Sequence, residues 1–364
     1  MLAKILYDKV IGYLLEYKIM DLPLLQEFLL DLVNNNYSEH TIESYRRDME
    51  IFAAFLDDQQ LEFSGITKLG ISKYKEFLRN GRYLDVIRSK RKVKTVAAQS
   101  DPKKSSQKAS RRLSMYSGRL TSRSANRILS TLRSYFRFLI DADVNIPIAP
   151  DAIKLIKTEK KESQVADLEE LITLVEAPEQ FEDKIKVKYR NRAMLELLFS
   201  TGMRISELIN LNREDLKLSK IDGHIADSKI YIMGKGKKQR FVYLTPRAES
   251  FLERYLTTRR DEYPALFIPY RGLRSGTKDP YIVRVSVNYL QAKIKEYRVK
   301  LGIIVPTSAH SLRHGFATYI AENGGNPAAI QRLLGHASLQ TTSKYVHASD
   351  KFAEKTHTDF HPLK

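Results

Sequence analysis

The sequence predicts a mainly α protein of two domains, on three observations. The chain has 364 residues, more than one core of roughly 100–200 residues accommodates. Apolar residues recur at three- and four-residue steps in separate segments, the period of helices with one buried face. Strand-like patterning is confined to one stretch, Lys229 to Leu244.

Composition removes whole classes of function. There is no cysteine, which excludes disulfide frameworks, zinc ribbons, iron–sulfur ligation and thiol nucleophiles. No run approaches eighteen apolar residues, so no membrane span is expected. Met1 to Met20 is interrupted by Lys4, Asp8, Lys9, Glu16 and Lys18. That is an amphipathic helix pattern, not a signal peptide, and it predicts a cytoplasmic protein. The 61 Lys and Arg against 43 Asp and Glu leave +18. An excess of this size is the footprint of a nucleic-acid binder.

In the first domain, Ile42, Tyr45, Met49, Phe52 and Phe55 mark a helix within Tyr37–Leu56, with Ser38 placed to cap it. Ile128, Leu132, Phe136 and Leu139 mark a second within Ser122–Ile140, decorated by Arg123, Arg127, Arg133 and Arg137. Between them, Arg88 to Arg123 holds twelve basic residues and one acid, Asp101. With few large apolar residues it cannot bury a core, and it reads as an arm for DNA phosphates or a solvated insertion. Pro147, Pro150 and the charged run around Lys157–Glu162 read as a linker. The expected boundaries are 1–145 for the helical domain, 146–166 for the linker and 167–364 for the second domain. Asp167 with Glu170 opens the latter as a capping box.

The second domain concentrates polar residues at helix ends. An apolar helix from about Val187 to Ser200 stops at Gly202, and Arg204 follows with Glu207 three residues on. Arg204 is either aimed by that carboxylate or paired with it on the surface. Two strands flank Gly234–Lys238, a hairpin with a basic tip. Its tip is a solvated turn or carries Lys235 to a phosphate, and it lacks the spacing of a nucleotide-binding loop. Thr307 or Ser308 caps a helix that places His310 and Arg313 on one face and Leu312, Phe316 and Tyr319 toward the core. Asn326 and Pro327 open a short helix closed by Gly335, with His336 after the stop and Tyr345 nine residues further. No histidine pair has metal-ligand spacing with a third partner, so no metal and no cofactor is expected.

Two arginines, a lysine, two histidines and a tyrosine on a basic scaffold suit phosphoryl transfer without a metal. Guanidiniums supply preorganised bidentate donors for charge gathering on non-bridging oxygens. A tyrosine ionises near pH 10 unless cations assist it, and its phenolate then forms a covalent phosphoester. A lysine can protonate the departing hydroxyl.

These residues stand in recognisable motifs. Gly202–Leu208 resembles the first box of the tyrosine recombinase/integrase family, especially its Xer branch. Gly234–Arg240 resembles that family's β-hairpin lysine motif, and His310–His314 with Phe316–Thr318 its second box. Leu333–His336, Thr341–Thr342 and Tyr345–His347 resemble its end. The resemblance implies a helical core-binding domain and an α-rich catalytic domain with a small β-hairpin, ending in a tail exchanged between subunits. It implies that Arg204 and Arg313 bind the scissile phosphate, Lys235 is the general acid, His310 assists proton transfer and His336 hydrogen-bonds the phosphate. Tyr345 would be the nucleophile, forming a 3′-phosphotyrosyl link, and Glu207 would orient the site from behind. Arg123, Arg127, Lys237, Lys238 and Arg240 are expected to contact DNA. The implied partners are duplex DNA carrying a specific site and further copies of the chain, or a paired recombinase, in a tetramer. The implied role is chromosome-dimer resolution or mobile-element integration and excision. A type IB topoisomerase and a non-enzymatic DNA-binding protein are the competing readings.

Overall fold

The computed structural model describes residues 22–84, 120–158, 166–216, 228–233, 239–270, 280–335 and 357–358. The N-terminal helix expected before Met20, the basic arm apart from Leu120–Arg123, and the tail other than residues 357 and 358 lie outside the described residues. The chain divides into two compact units, Met1–Lys161 and Glu162–Lys364.

The first unit packs four described helices, α1 (Leu25–Asn34), α2 (Glu39–Gln59), α3 (Lys68–Asn80) and α4 (Ser122–Asp141). Ser38, Thr67 and Thr121 cap α2, α3 and α4, each hydroxyl accepting from the N–H three residues on. Those bonds satisfy donors that a helix start otherwise leaves open. The core is aromatic. Phe52 meets Tyr74 edge-on with ring centroids 5.2 Å apart, and Phe28 meets Tyr135 at 5.3 Å. One charge is sealed beside it. Asp48, 1% exposed, accepts from both terminal nitrogens of Arg127 at 2.6 Å and from the Thr131 hydroxyl at 2.8 Å.

The segment expected as linker begins as packed structure. Ile153 is fully buried, and Arg133 donates to its carbonyl at 2.7 Å. The Asn126 side chain both donates to the Ile156 carbonyl and accepts from its N–H, each at 2.8 Å. The prolines beyond α4 do not release the chain, because side chains of α4 take up the backbone groups that follow.

In the second unit, α5 (Leu168–Phe181), α8 (Pro246–Thr257) and α10 (Ala309–Glu322) all pack on α6 (Ile185–Thr201). Asp167 caps α5 through the Glu170 N–H at 2.7 Å. Helix α6 is central enough that Arg190, Asn191, Arg192 and Glu196 are buried with its apolar residues. Each finds a hydrogen-bond partner inside the unit. Arg190 donates to the Ile268 carbonyl, Asn191 to the Tyr297 hydroxyl, and Arg192 to Glu196. Short helix α7 (Ile205–Asn210) follows, then β1 (Lys229–Met233) and β2 (Gln239–Tyr243), paired antiparallel with Ile230 opposite Val242 and Ile232 opposite Arg240. Ile230, Ile232 and Val242 point into the core. Helices α9 (Val287–Lys300) and α11 (Pro327–Leu334) follow later in the chain, on either side of α10. No described helix is long and apolar enough to cross a membrane.

Candidate active site

The polar site of the second unit grows from three helix ends. Helix α6 stops at Gly202, whose φ of +61° is left-handed and favours a residue without a side chain. Two residues later Arg204 caps α7. Its N–H donates to Glu207 Oε2 at 2.7 Å and its Nη1 to Glu207 Oε1 at 2.9 Å. The carboxylate therefore fixes both the backbone and the guanidinium of Arg204.

Helix α10 supplies the second arginine. The Ser308 hydroxyl accepts from the Ser311 N–H, setting the helix start. Arg313, one turn inside, is only 3% exposed. Its Nη1 donates to the Gly202 carbonyl and its Nη2 to the Leu334 carbonyl, both at 2.6 Å. It thus joins the end of α6 to the end of α11, using carbonyls that have no partner within their helices.

Helix α11 is capped by the Asn326 side chain at 2.8 Å from the Ala328 N–H, opens with Pro327 and closes at Gly335, φ +62°. Arg204 Nη2 lies 3.4 Å from the Gly335 carbonyl. The two guanidiniums therefore meet consecutive carbonyls, immediately before His336. Such a cluster of preorganised donors and positive charge suits a phosphate anion.

The electrostatics agree. Burial would push the Glu207 carboxyl up, but hydrogen bonds from Arg240 and from the Arg204 N–H outweigh it and hold the group below the ordinary carboxylate range. Burial and the neighbouring charges of Arg313, His314 and Arg204 lower the His310 pKa. These effects favour its neutral form.

The described residues bring together Arg204, Glu207, His310 and Arg313. Lys235, Lys237, Lys238, His336 and Tyr345 lie outside them. Arg123 and Arg127 sit on the exposed side of α4, although Arg127 is committed to Asp48. Tyr319, expected toward the core, is 47% exposed; the buried residues near it on α10 are Ala317 and Ala321.

Arg240 corrects the expectation of a DNA contact. Its side chain is 9% exposed and turned inward. Nη1 and Nη2 donate to the two oxygens of Glu207 at 2.9 and 2.7 Å, and Nε to the Leu333 carbonyl at 3.0 Å. A buried carboxylate draws it in. Strand parity carries the signal that would have found it, since Arg240 pairs with inward-facing Ile232.

Comparison with known proteins agrees with this architecture. Residues 164–351 match the phage integrase family and residues 25–85 the phage integrase N-terminal SAM-like domain. The tyrosine recombinase XerD of Staphylococcus epidermidis is 30% identical over 336 residues, covering 91% of this chain and 95% of that protein. The crystal structure of XerH site-specific recombinase bound to palindromic difH substrate, a post-cleavage complex, aligns with a TM-score of 0.62 at 21% identity, over 96% and 94% of the two chains. A lambda integrase tetramer bound to a Holliday junction aligns at 0.58 and 18%, over 88% and 75%. These two likenesses concern the fold. The matched family model spans both boxes and the three helix ends that carry Arg204, Arg313 and Gly335, and the chain belongs to the phage integrase family, the tyrosine recombinases, enzymes that break and rejoin DNA.

Proposed function

We propose that the chain is a site-specific DNA recombinase acting through a 3′-phosphotyrosyl intermediate in a DNA-bound tetramer. The observation that carries this reading is the convergence of Arg204 and Arg313 on the carbonyls of Leu334 and Gly335. A phosphate held there gains charge-assisted bonds to guanidiniums that the helix ends already hold in place.

The roles follow from charge flow. The Tyr345 phenolate attacks phosphorus, forming the phosphotyrosyl bond as the bond to the 5′-oxygen breaks. Lys235 delivers the proton that makes that oxygen a hydroxyl. Arg204 and Arg313 stabilise the charge on the non-bridging oxygens, each such donor being worth about 10²–10³ in rate. Neutral His310 accepts a proton near the phosphate, and His336, next to Gly335, hydrogen-bonds it. In the second half, a 5′-hydroxyl from the partner strand attacks the phosphotyrosine and releases the tyrosine. Lambda integrase forms a tetramer on a Holliday junction, and exchange between two sites needs four such active centres. The reading covers chromosome-dimer resolution and mobile-element integration or excision, which share this chemistry.

A nicked suicide substrate tests it. The expected product is protein covalently joined to a 3′-phosphate end, with recombinant strands when two sites are present. Relaxation of plasmids lacking any site, without strand exchange between sites, would favour the topoisomerase reading instead.

A further inference from the structure

Three arginines each meet one of three successive carbonyls at the end of α11. Arg240 takes Leu333, Arg313 takes Leu334 and Arg204 lies against Gly335. Two of them, Arg313 and Arg204, are accounted for by the proposed chemistry. Arg240 is not, yet all three of its guanidinium nitrogens donate to a partner.

We propose that Arg240 is a positioning residue for DNA cleavage, clamping the Glu207 carboxylate and the end of α11 into one arrangement. The inference rests on the recombinase reading above. Three observations support it. The first is the paired contact of Nη1 and Nη2 with the two Glu207 oxygens, a geometry only a planar guanidinium provides. The same carboxylate holds both the N–H and the side chain of Arg204, so a shift of Glu207 moves a phosphate-binding arginine.

The second is steric. A Cβ on Gly335 would lie 2.9 Å from Arg240 Cδ and 3.0 Å from its Nε and Nη1. The backbone of the residue before His336 and the Arg240 side chain are thus packed against each other as closely as a missing side chain permits. The third is strand register. Arg240 lies one residue inside β2, opposite Ile232 at the end of the hairpin whose other arm leads to the Lys235 loop. One side chain therefore ties together the strand beside the lysine loop, the carboxylate behind Arg204 and the helix end before His336. Lysine does not reproduce it, because one flexible ammonium nitrogen cannot occupy the three fixed positions from which Nε, Nη1 and Nη2 meet their acceptors.

The test compares three quantities in the full-length chain: DNA affinity, melting temperature and the single-turnover cleavage rate of bound suicide substrate. Arg240→Gln should slow cleavage about 100-fold, the scale of a 1 Å misplacement, while affinity stays within about threefold. Arg240→Lys should fail to restore the wild-type rate at unchanged melting temperature, and it carries the test if Arg240→Gln does not fold. In the Arg240→Gln/Glu207→Gln double variant the losses should not multiply, because both act on one contact. Wild-type cleavage by Arg240→Lys, or multiplied losses in the double variant, would overturn the inference. So would a tenfold loss of affinity with unchanged cleavage of bound DNA, which would make Arg240 a DNA contact. A wild-type chain that forms no adduct would overturn the underlying recombinase reading, and the inference with it.

Discussion

At Gly202 the end of α6 lies against Phe316 of α10, and alanine there tests how much the site depends on that approach. The backbone adopts φ +61°, which costs a residue with a side chain about 1–2 kcal/mol. The added Cβ would lie 2.4 Å from Phe316 Cδ1 and 2.7 Å from its Cε1, closer than carbon atoms pack. Relieving such overpacking typically costs another ~1–3 kcal/mol, so the substitution should destabilise the second unit by about 2–5 kcal/mol. For a unit of roughly 200 residues that lowers the melting temperature by about 4–20 °C. Gly302 provides the control. It also has a positive φ, +71°, but nothing lies within 4 Å of its Cβ position, so Gly302→Ala should incur the backbone term alone. Calorimetry of the two variants isolates the steric term. Phe316 shares α10 with His310 and Arg313, and the Gly202 carbonyl accepts from Arg313, so cleavage should fall in Gly202→Ala more than in Gly302→Ala. Equal melting temperatures for the two variants would refute the steric argument.

In the first unit, Asp48→Ala should cost about 2–3 kcal/mol, because it strips Arg127 of its partner and takes from the buried Thr131 hydroxyl its 2.8 Å bond, leaving only the 3.4 Å contact with the Arg127 carbonyl; an unchanged urea midpoint would contradict this. His310 has a folded pKa below its ordinary 6.5, so below that pH the unfolded chain binds more protons than the folded one. Stability should therefore decline as pH falls below 6.5, and His310→Gln should flatten the decline; parallel melting curves for the two proteins between pH 7.5 and 5 would contradict it. Deleting residues 88–119 behind a short Gly/Ser bridge should weaken binding to every DNA sequence. It should also make the salt dependence shallower by about 0.9 in log–log slope per lost phosphate contact, and an unchanged slope would return the segment to a solvated insertion.

Much of this was legible in the sequence because local rules and tertiary packing agree. Ser38 caps α2 and the Ile42–Phe55 face is its buried face; Asn326, Pro327 and Gly335 open and close α11 as their chemistry dictates. The Arg204–Glu207 pairing followed from a three-residue spacing across a helix start. What was hidden depends on contacts remote in sequence. Arg240 reads as one more base near a basic hairpin until Glu207, 33 residues earlier, is seen beside it. Ile153 and Ile156 read as linker because prolines and charges surround them, whereas Asn126 and Arg133 of α4 claim their backbone. Tyr319 has helical spacing from Leu312, but the turn it occupies faces outward. For Arg240, Ile153 and Ile156 the deciding partner lies 20 or more residues away, beyond any short-window pattern.

The central claim is that Tyr345 becomes joined to DNA, and identifying the joined residue tests it most directly. Protein trapped on a nicked substrate should be digested and the peptide bearing the nucleotide sequenced by mass spectrometry. The account predicts a 3′-phosphate ester on Tyr345, and a Tyr345→Phe chain that binds the same DNA without forming any adduct. An ester on exposed Tyr319 or any other residue, or an adduct that persists in Tyr345→Phe, would contradict it.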